Sequence, residues 1–238
     1  MAFTQKETDT LSPSPAYPNG NAPPLPSLAY EMRLWDAGYR YVAGLDEAGR
    51  GSWAGPVVAA AVILPSNQPQ LAQVLAGVRD SKTLTAARRE TLLDTIEKHA
   101  LAWGVGVVPP REIDTGGIVP ATSRAMALAL EALSTPADHL LIDYLTLPAL
   151  SLPQISLPKG DALVLSIAAA SIVAKVNRDR MMLDLDAQFP GYSFGRHKGY
   201  GTPQHQAALS RLGPCAAHRL SFAPLQRLVA ENAAPAAD

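Results

Sequence analysis

Apolar positions in the first half of the chain fall in short runs broken by glycine and proline. Two Val-rich runs, Tyr39 to Leu45 and Pro56 to Leu64, flank a glycine-punctuated turn and predict an antiparallel pair of strands. Leu101 to Val108 predicts a third strand, and His139 to Asp143 and Gln154 to Leu157 predict two shorter ones joined by a proline-marked connection. Between them the apolar spacing turns helical, over Thr85 to His99, Thr122 to Leu133 and a long stretch from Leu163 to Gln188. Strands followed by alternating helix and strand predict an α/β layered domain with a mixed sheet.

The ends read differently. Residues 1–29 carry Pro13, Pro15, Pro18, Pro23, Pro24 and Pro26 among Ser, Asn, Gly and Thr, so a disordered extension is expected there. A frayed tail is expected over 230–238, leaving 30–229 as the folded domain. The most apolar run, Ala162 to Ala174, is interrupted by serines and ends at Lys175, short of the ~20 residues a membrane span needs. The N-terminus lacks a basic region followed by an apolar one, so no secretory signal is expected.

Composition is ordinary for a soluble protein, 47% hydrophobic and 17% charged, with ample length for a core. A formal net charge of −1 means that affinity for a polyanion must come from a local patch. Residues 175–200 hold a mild basic excess: Lys175, Arg178, Arg180, Arg196 and Lys198 against Asp179, Asp184 and Asp186. That suits a duplex-binding surface or an ordinary helix face equally. The single Cys215 rules out an intrachain disulfide and suits a reducing, cytoplasmic setting.

The chemistry-bearing segment is Leu45-Asp46-Glu47-Ala48-Gly49-Arg50-Gly51, two carboxylates at the expected end of a strand followed by a glycine-flanked arginine. Carboxylate oxygens are ligands for Mg²⁺ or Mn²⁺, and glycines let a backbone approach a bulky polyanion. An acidic solvent-facing turn is the competing reading. Asp143 ends a buried-type strand, where a turn residue is the plainer role. Asp161 precedes the long helix, where capping alone explains an aspartate. Taken jointly, four carboxylates brought together would repel one another unless divalent cations shared them.

Several ordered segments are similar to bacterial ribonuclease HII. They are Ala43 through Gly51, Ala54-Gly55-Pro56-Val57, Asp80-Ser81-Lys82-Thr83-Leu84, Lys159-Gly160-Asp161, Ser166 through Val176, His197 through Thr202, and His218 through Phe222. The resemblance spans about Tyr39 to Leu225 and implies a ribonuclease H-like mixed β-sheet flanked by α-helices, with a small helical C-terminal part. It implies a metal-dependent endoribonuclease of replication and repair. Its targets would be the RNA strand of RNA–DNA hybrids and the 5′ side of ribonucleotides embedded in duplex DNA, leaving 3′-hydroxyl and 5′-phosphate ends. The metal ligands map onto Asp46, Glu47, Asp143 and Asp161, and the ribose contacts onto Gly49, Arg50, Gly51 and Tyr200. Tyr144 departs from the family, which places glycine after the third carboxylate.

The expected mechanism uses two ions, Mg²⁺ or Mn²⁺, with Asp46 shared, Glu47 and Asp161 completing one shell and Asp143 the other. Ser81 and Lys82 are expected to hold a backbone phosphate, although helix entry would also explain them. Without the resemblance, Tyr200 reads equally as a surface aromatic. His197, His205 and His218 lack the spacing of a zinc site and are expected to be structural or superficial. The partner is a hybrid or ribonucleotide-containing duplex, met by a monomer with no membrane contact. A different two-metal nuclease or phosphatase, and an inactive hybrid-binding protein, are the competing classes.

Overall fold

The computed structural model describes residues 25–233. Strand β2 (Val57–Ile63) is apolar at every position and fully buried, so both of its faces must be covered. It pairs antiparallel with β1 (Val42–Ala48) and with β3 (Ala102–Val108), while β1 also pairs parallel with β4 (His139–Asp143) and β4 with β5 (Gln154–Leu157). The resulting mixed sheet has the order β3-β2-β1-β4-β5. The carboxyl ends of β1 and β4 therefore lie side by side.

Helix α1 (Ala29–Asp36) precedes the sheet, a short α2 (Leu71–Val74) follows β2, and α3 (Ala86–His99) starts at a Thr85 cap. After β3 come α4 (Pro110–Gly116) and α5 (Ile118–Glu131), and after β5 the long α6 (Leu165–Gln188). The two faces of β2 sort the core. Ala60 and Val62 pack with Leu92, Leu93 and Ile96 of α3 and with the Ala168–Ala170 stripe of α6. Ala59, Ala61 and Ile63 pack with Ala125, Met126 and Ala129 of α5. Each fully buried Val, Leu or Ile here contributes roughly 1.5–3 kcal/mol.

The alanine stripe lets α6 lie very close to the sheet. A side chain on Gly44 of β1 would place its Cβ 2.3 Å from the Ser166 carbonyl carbon, so only glycine fits beneath the helix. Helices α7 (Phe194–His197), α8 (Pro203–Leu212) and α9 (Ala223–Ala233) form the C-terminal part, where Phe194, Leu209 and Leu225 pack on Met182 of α6 and on Ala54. Among the described residues no helix is long and apolar enough to cross a membrane.

The expected boundaries hold for β4 and β5 and shift elsewhere. Strand β1 runs on to Ala48 because Asp46 and Glu47 pair with Ala60 and Ala59 of β2, so the two acids lie inside the strand. Helix α5 begins at Ile118, with Pro120 in its first turn, where a missing amide costs nothing. The amides of Ser27 and Leu165 bond Leu163 and Ser27 carbonyls, so the described chain joins the fold before Tyr30. Residues 1–24 and 234–238, the bulk of the expected extension and tail, lie outside the described residues.

Candidate active site

Adjacent central strands β1 and β4 bring Asp46, Glu47 and Asp143 to their carboxyl ends, and a 3-10 turn at Gly160–Ala162 adds Asp161. Asp143 does more than end its strand: its Oδ1 accepts a 2.7 Å hydrogen bond from the Gly160 amide, tying β4 to the turn that carries Asp161. Asp161 is not a cap of α6. The N-cap position is Val164, and the Ser166 amide instead donates at 2.8 Å to Glu31 of α1.

The four acids feel one another. Burial, then Glu47 and Asp143, push Asp46 well above the usual carboxylate range, against the pull of the Glu47 amide. Glu47 is also raised, by burial and by Asp143 against the pull of Arg50. Asp143 is raised by burial, partly offset by Gly160 and Lys82. Burial, Asp80 and Asp143 push Asp161 up to about 6. Around Lys82, burial opposes the charge but Asp46, Asp80, Asp161 and Asp143 outweigh it and raise its pKa.

Two oxygens stand out. Asp46 Oδ2 and Glu47 Oε2 are buried without a hydrogen-bond partner, whereas Asp46 Oδ1 accepts from the Glu47 amide at 2.6 Å and Glu47 Oε1 from Arg50 Nη1 at 3.3 Å. Orphaned buried carboxylate oxygens are costly. Among the described residues no three His, Cys, Asp or Glu side chains are closed into a ready cage for a metal ion. The donor set still fits a hard dication, which would partner the orphaned oxygens and offset the mutual repulsion.

A cleft of about 470 Å³ opens over Asp143 and Asp161, with Arg50, Lys82 and Lys159 supplying positive charge. Asp80 lines it too. Asp80 caps the 3-10 turn that follows, its Oδ1 accepting from the Lys82 amide at 2.9 Å. It also raises Asp161, an influence the sequence does not display because capping alone explains an aspartate before a turn. Ser81 is 3% exposed, and its hydroxyl accepts from Ser171 Oγ at 2.9 Å, anchoring this loop from behind.

The Gly49-Arg50-Gly51 loop, whose Arg50 lines the cleft, lies beside the segment that carries Tyr200. Trp53 and Ala54 donate to the Gly199 carbonyl, docking the tyrosine loop on the chain that leaves Gly51. Gly49 has φ 94°, and Arg219 Nη1 donates to the Arg50 carbonyl at 2.9 Å. Tyr200 is 40% exposed, with its ring centroid 5.8 Å from the Arg178 guanidinium carbon.

Arg178 was counted with a basic surface, but it is fully buried. Lys175 pairs with Asp179 and Arg180 with Glu90, so the mild excess over 175–200 is largely spent internally. The three histidines cluster, with His197 stacked on His205 at 4.4 Å and His205 Nε2 3.0 Å from His218 Nε2. All are buried, which places them inside the C-terminal part.

Known proteins share this fold and much of its sequence. The family model for ribonuclease HII matches residues 43–225. A ribonuclease HII of Roseiflexus castenholzii is 53% identical over 207 residues, covering 87% of this chain and 92% of the relative. That of Chloroflexus aurantiacus is 54% identical over 201 residues, covering 84% and 95%. The crystal structure of ribonuclease H2 from Pyrococcus horikoshii OT3 superposes with a TM-score of 0.67 at 26% identity, over 80% of this chain and 97% of that one. Ribonuclease HII in the PCNA complex from Archaeoglobus fulgidus gives 0.64 at 27% identity, over 76% and 95%. The chain belongs to the ribonuclease HII family, hydrolases of the type 2 ribonuclease H class.

Proposed function

We propose that this protein cleaves the RNA strand of RNA–DNA hybrids and the phosphodiester on the 5′ side of a ribonucleotide embedded in duplex DNA. Water adds to phosphorus and the bond to the upstream 3′ oxygen breaks, leaving 3′-hydroxyl and 5′-phosphate ends. The observation that carries the reading is the pair of orphaned oxygens of Asp46 and Glu47, within electrostatic reach of Asp143 and beside the Gly49–Gly51 loop. Pure binding of a polyanion would gain nothing from clustered anions.

Asp46, Glu47, Asp143 and Asp161 are the residues that would hold two Mg²⁺ or Mn²⁺ ions. Bound there, such ions supply a nucleophilic water and neutralise charge on the leaving oxygen. The chain's own groups do the positioning. Arg50, Lys82 and Lys159 line the cleft and offset the phosphate charge. The Gly49 and Arg50 carbonyls accept from Ser52 and Arg219, which fixes the course of the loop, and its amides would donate to a substrate hydroxyl. Tyr200 would add its phenol to the same 2′-hydroxyl, the group that separates RNA from DNA. We take the protein to act as a cytoplasmic monomer, a setting the free Cys215 suits.

The test is a labelled duplex carrying one ribonucleotide, incubated with Mg²⁺ or Mn²⁺ and with chelator, beside a hybrid, all-DNA and all-RNA duplexes. The expected result is ion-dependent incision on the 5′ side of the ribonucleotide and within the RNA of the hybrid alone. Cleavage of all-DNA would assign a nuclease without ribose selection. An intact mixed duplex with both ions present would remove the reading.

A further inference from the structure

Tyr144 follows Asp143 directly and holds φ at 62°, the left-handed region. The Leu145 amide bonds the Asp143 carbonyl at 2.7 Å, closing a three-residue turn with Tyr144 at its centre. A turn of this γ type with positive φ is rare and strained, and a bulky residue at its centre is an outlier. Glycine would take the same backbone without steric penalty. Packing does not compensate the strain, since Tyr144 is 66% exposed. The Tyr144 amide bonds the Leu157 carbonyl at 3.1 Å, so the turn is pinned to β5 and the ring is held at the rim of the cleft.

Strain of this kind persists where surrounding structure enforces it, and it gathers at ligand-binding sites. Here an exposed aromatic ring borders the cleft that Asp143 and Asp161 share with the cations Arg50 and Lys159. Tyr144, the residue after β4, lines the same cleft as those charges, so a strand whose phosphate met them would bring a neighbouring nucleotide to the ring. Any base has a face on which an aromatic ring can stack, whatever the sequence.

We propose that Tyr144 is a platform on which a nucleotide of the bound strand stacks, a substrate contact beyond those to phosphate and ribose. The proposal rests on the nucleic-acid reading above. It makes Tyr144 a determinant of affinity, with no part in the chemical step.

Three variants test it on the full chain, with the one-ribonucleotide duplex as probe. Tyr144→Ala keeps the strained backbone and removes the ring, so duplex affinity should fall roughly tenfold with kcat within about twofold. Tyr144→Phe should behave as wild type. Tyr144→Gly should lose affinity as the alanine variant does, yet unfold about 2–4 °C higher because the turn is relieved. A 2-aminopurine beside the ribonucleotide should be quenched by wild type and Tyr144→Phe, but not by Tyr144→Ala. Wild-type cleavage with unchanged affinity in the alanine and glycine variants would overturn the stacking role alone. A wild type that neither binds nor cleaves the duplex would overturn the functional reading and this proposal with it.

Discussion

The Arg178 side chain fills the space in which a side chain at Gly49 would stand: a Cβ there would lie 1.9 Å from the Arg178 Nε. The same guanidinium donates to the carbonyls of Pro56, Lys198 and Ala54 at 2.9, 3.0 and 3.1 Å. One buried cation thus fastens the glycine loop, the entry to β2 and the loop that carries Tyr200. The glycine loop and the loop of Tyr200 share a single internal brace.

That brace predicts a stability effect from a change that alters no charge. Gly49→Ala meets both the positive φ and the Arg178 overlap, and should lower unfolding free energy by about 2–4 kcal/mol. Arg178→Lys should lose a similar amount, because one ammonium cannot serve three carbonyls in a fixed fork. Urea unfolding checks both. A loss under about 0.5 kcal/mol for either would show that the brace is dispensable.

Asp46→Asn separates stability from activity. Asp46 is 2% exposed, with one oxygen unpartnered and its carboxyl strained by Glu47 and Asp143. Removing that charge should leave the protein in chelator as stable as wild type, or more stable by about 1–2 kcal/mol. Saturating Mg²⁺ or Mn²⁺ should raise the wild-type melting temperature by several degrees, since an ion at 100 times its Kd adds about 2.7 kcal/mol. The variant should show little of that shift and no cleavage. An undiminished metal-induced shift in Asp46→Asn would remove Asp46 from the ligand set.

Tyr200→Phe keeps the ring above Arg178 and deletes the hydroxyl. Cleavage at an isolated ribonucleotide should fall by roughly tenfold or more, the worth of one hydrogen bond to a reacting substrate. Affinity for an all-DNA duplex should hardly change. Equal losses on both would count against a ribose contact.

Much of this was legible in the chain, for identifiable reasons. Short runs bounded by glycine or proline marked the strands, most plainly β2, whose burial on both faces leaves a continuous apolar record. The alanine stripe of α6 announced the close helix–sheet contact that Gly44 permits. The three-dimensional partners were not legible. Arg178 reads as surface charge because its acceptors are main-chain carbonyls, which carry no residue identity. Glu31 reads as an ordinary helical acid, although it is fully buried and accepts from the first turn of α6. Its partner is another amide, distant in sequence and equally silent.

The histidine cluster predicts how stability follows pH. His205 Nδ1 faces the Tyr200 carbonyl at 3.0 Å and must donate to it, so its Nε2 is the acceptor in the 3.0 Å bond to His218 Nε2. His218 then donates from Nε2, and its Nδ1 accepts from the Cys215 amide at 2.9 Å. A proton added to either ring would meet an existing N–H. Burial accordingly lowers both pKa values from 6.5 to about 4. The sign follows: below about pH 6.5 the unfolded chain takes up protons that the folded rings refuse, so stability is full above that point and declines towards pH 4. His139, also lowered by burial to about 4, adds to the same decline. The raised carboxylates of the cleft act in the opposite sense over the same range. The histidine share is therefore read by chemical denaturation in chelator, as the unfolding free energy that wild type loses relative to His205→Gln at pH 7.5, 6, 5 and 4.5, a loss that should grow with each step. Nitrogen-15 NMR should find neutral rings down to pH 5, protonated at Nδ1 in His205 and at Nε2 in His218. Titration of either ring near 6.5 would break the proton assignment and the stability argument built on it.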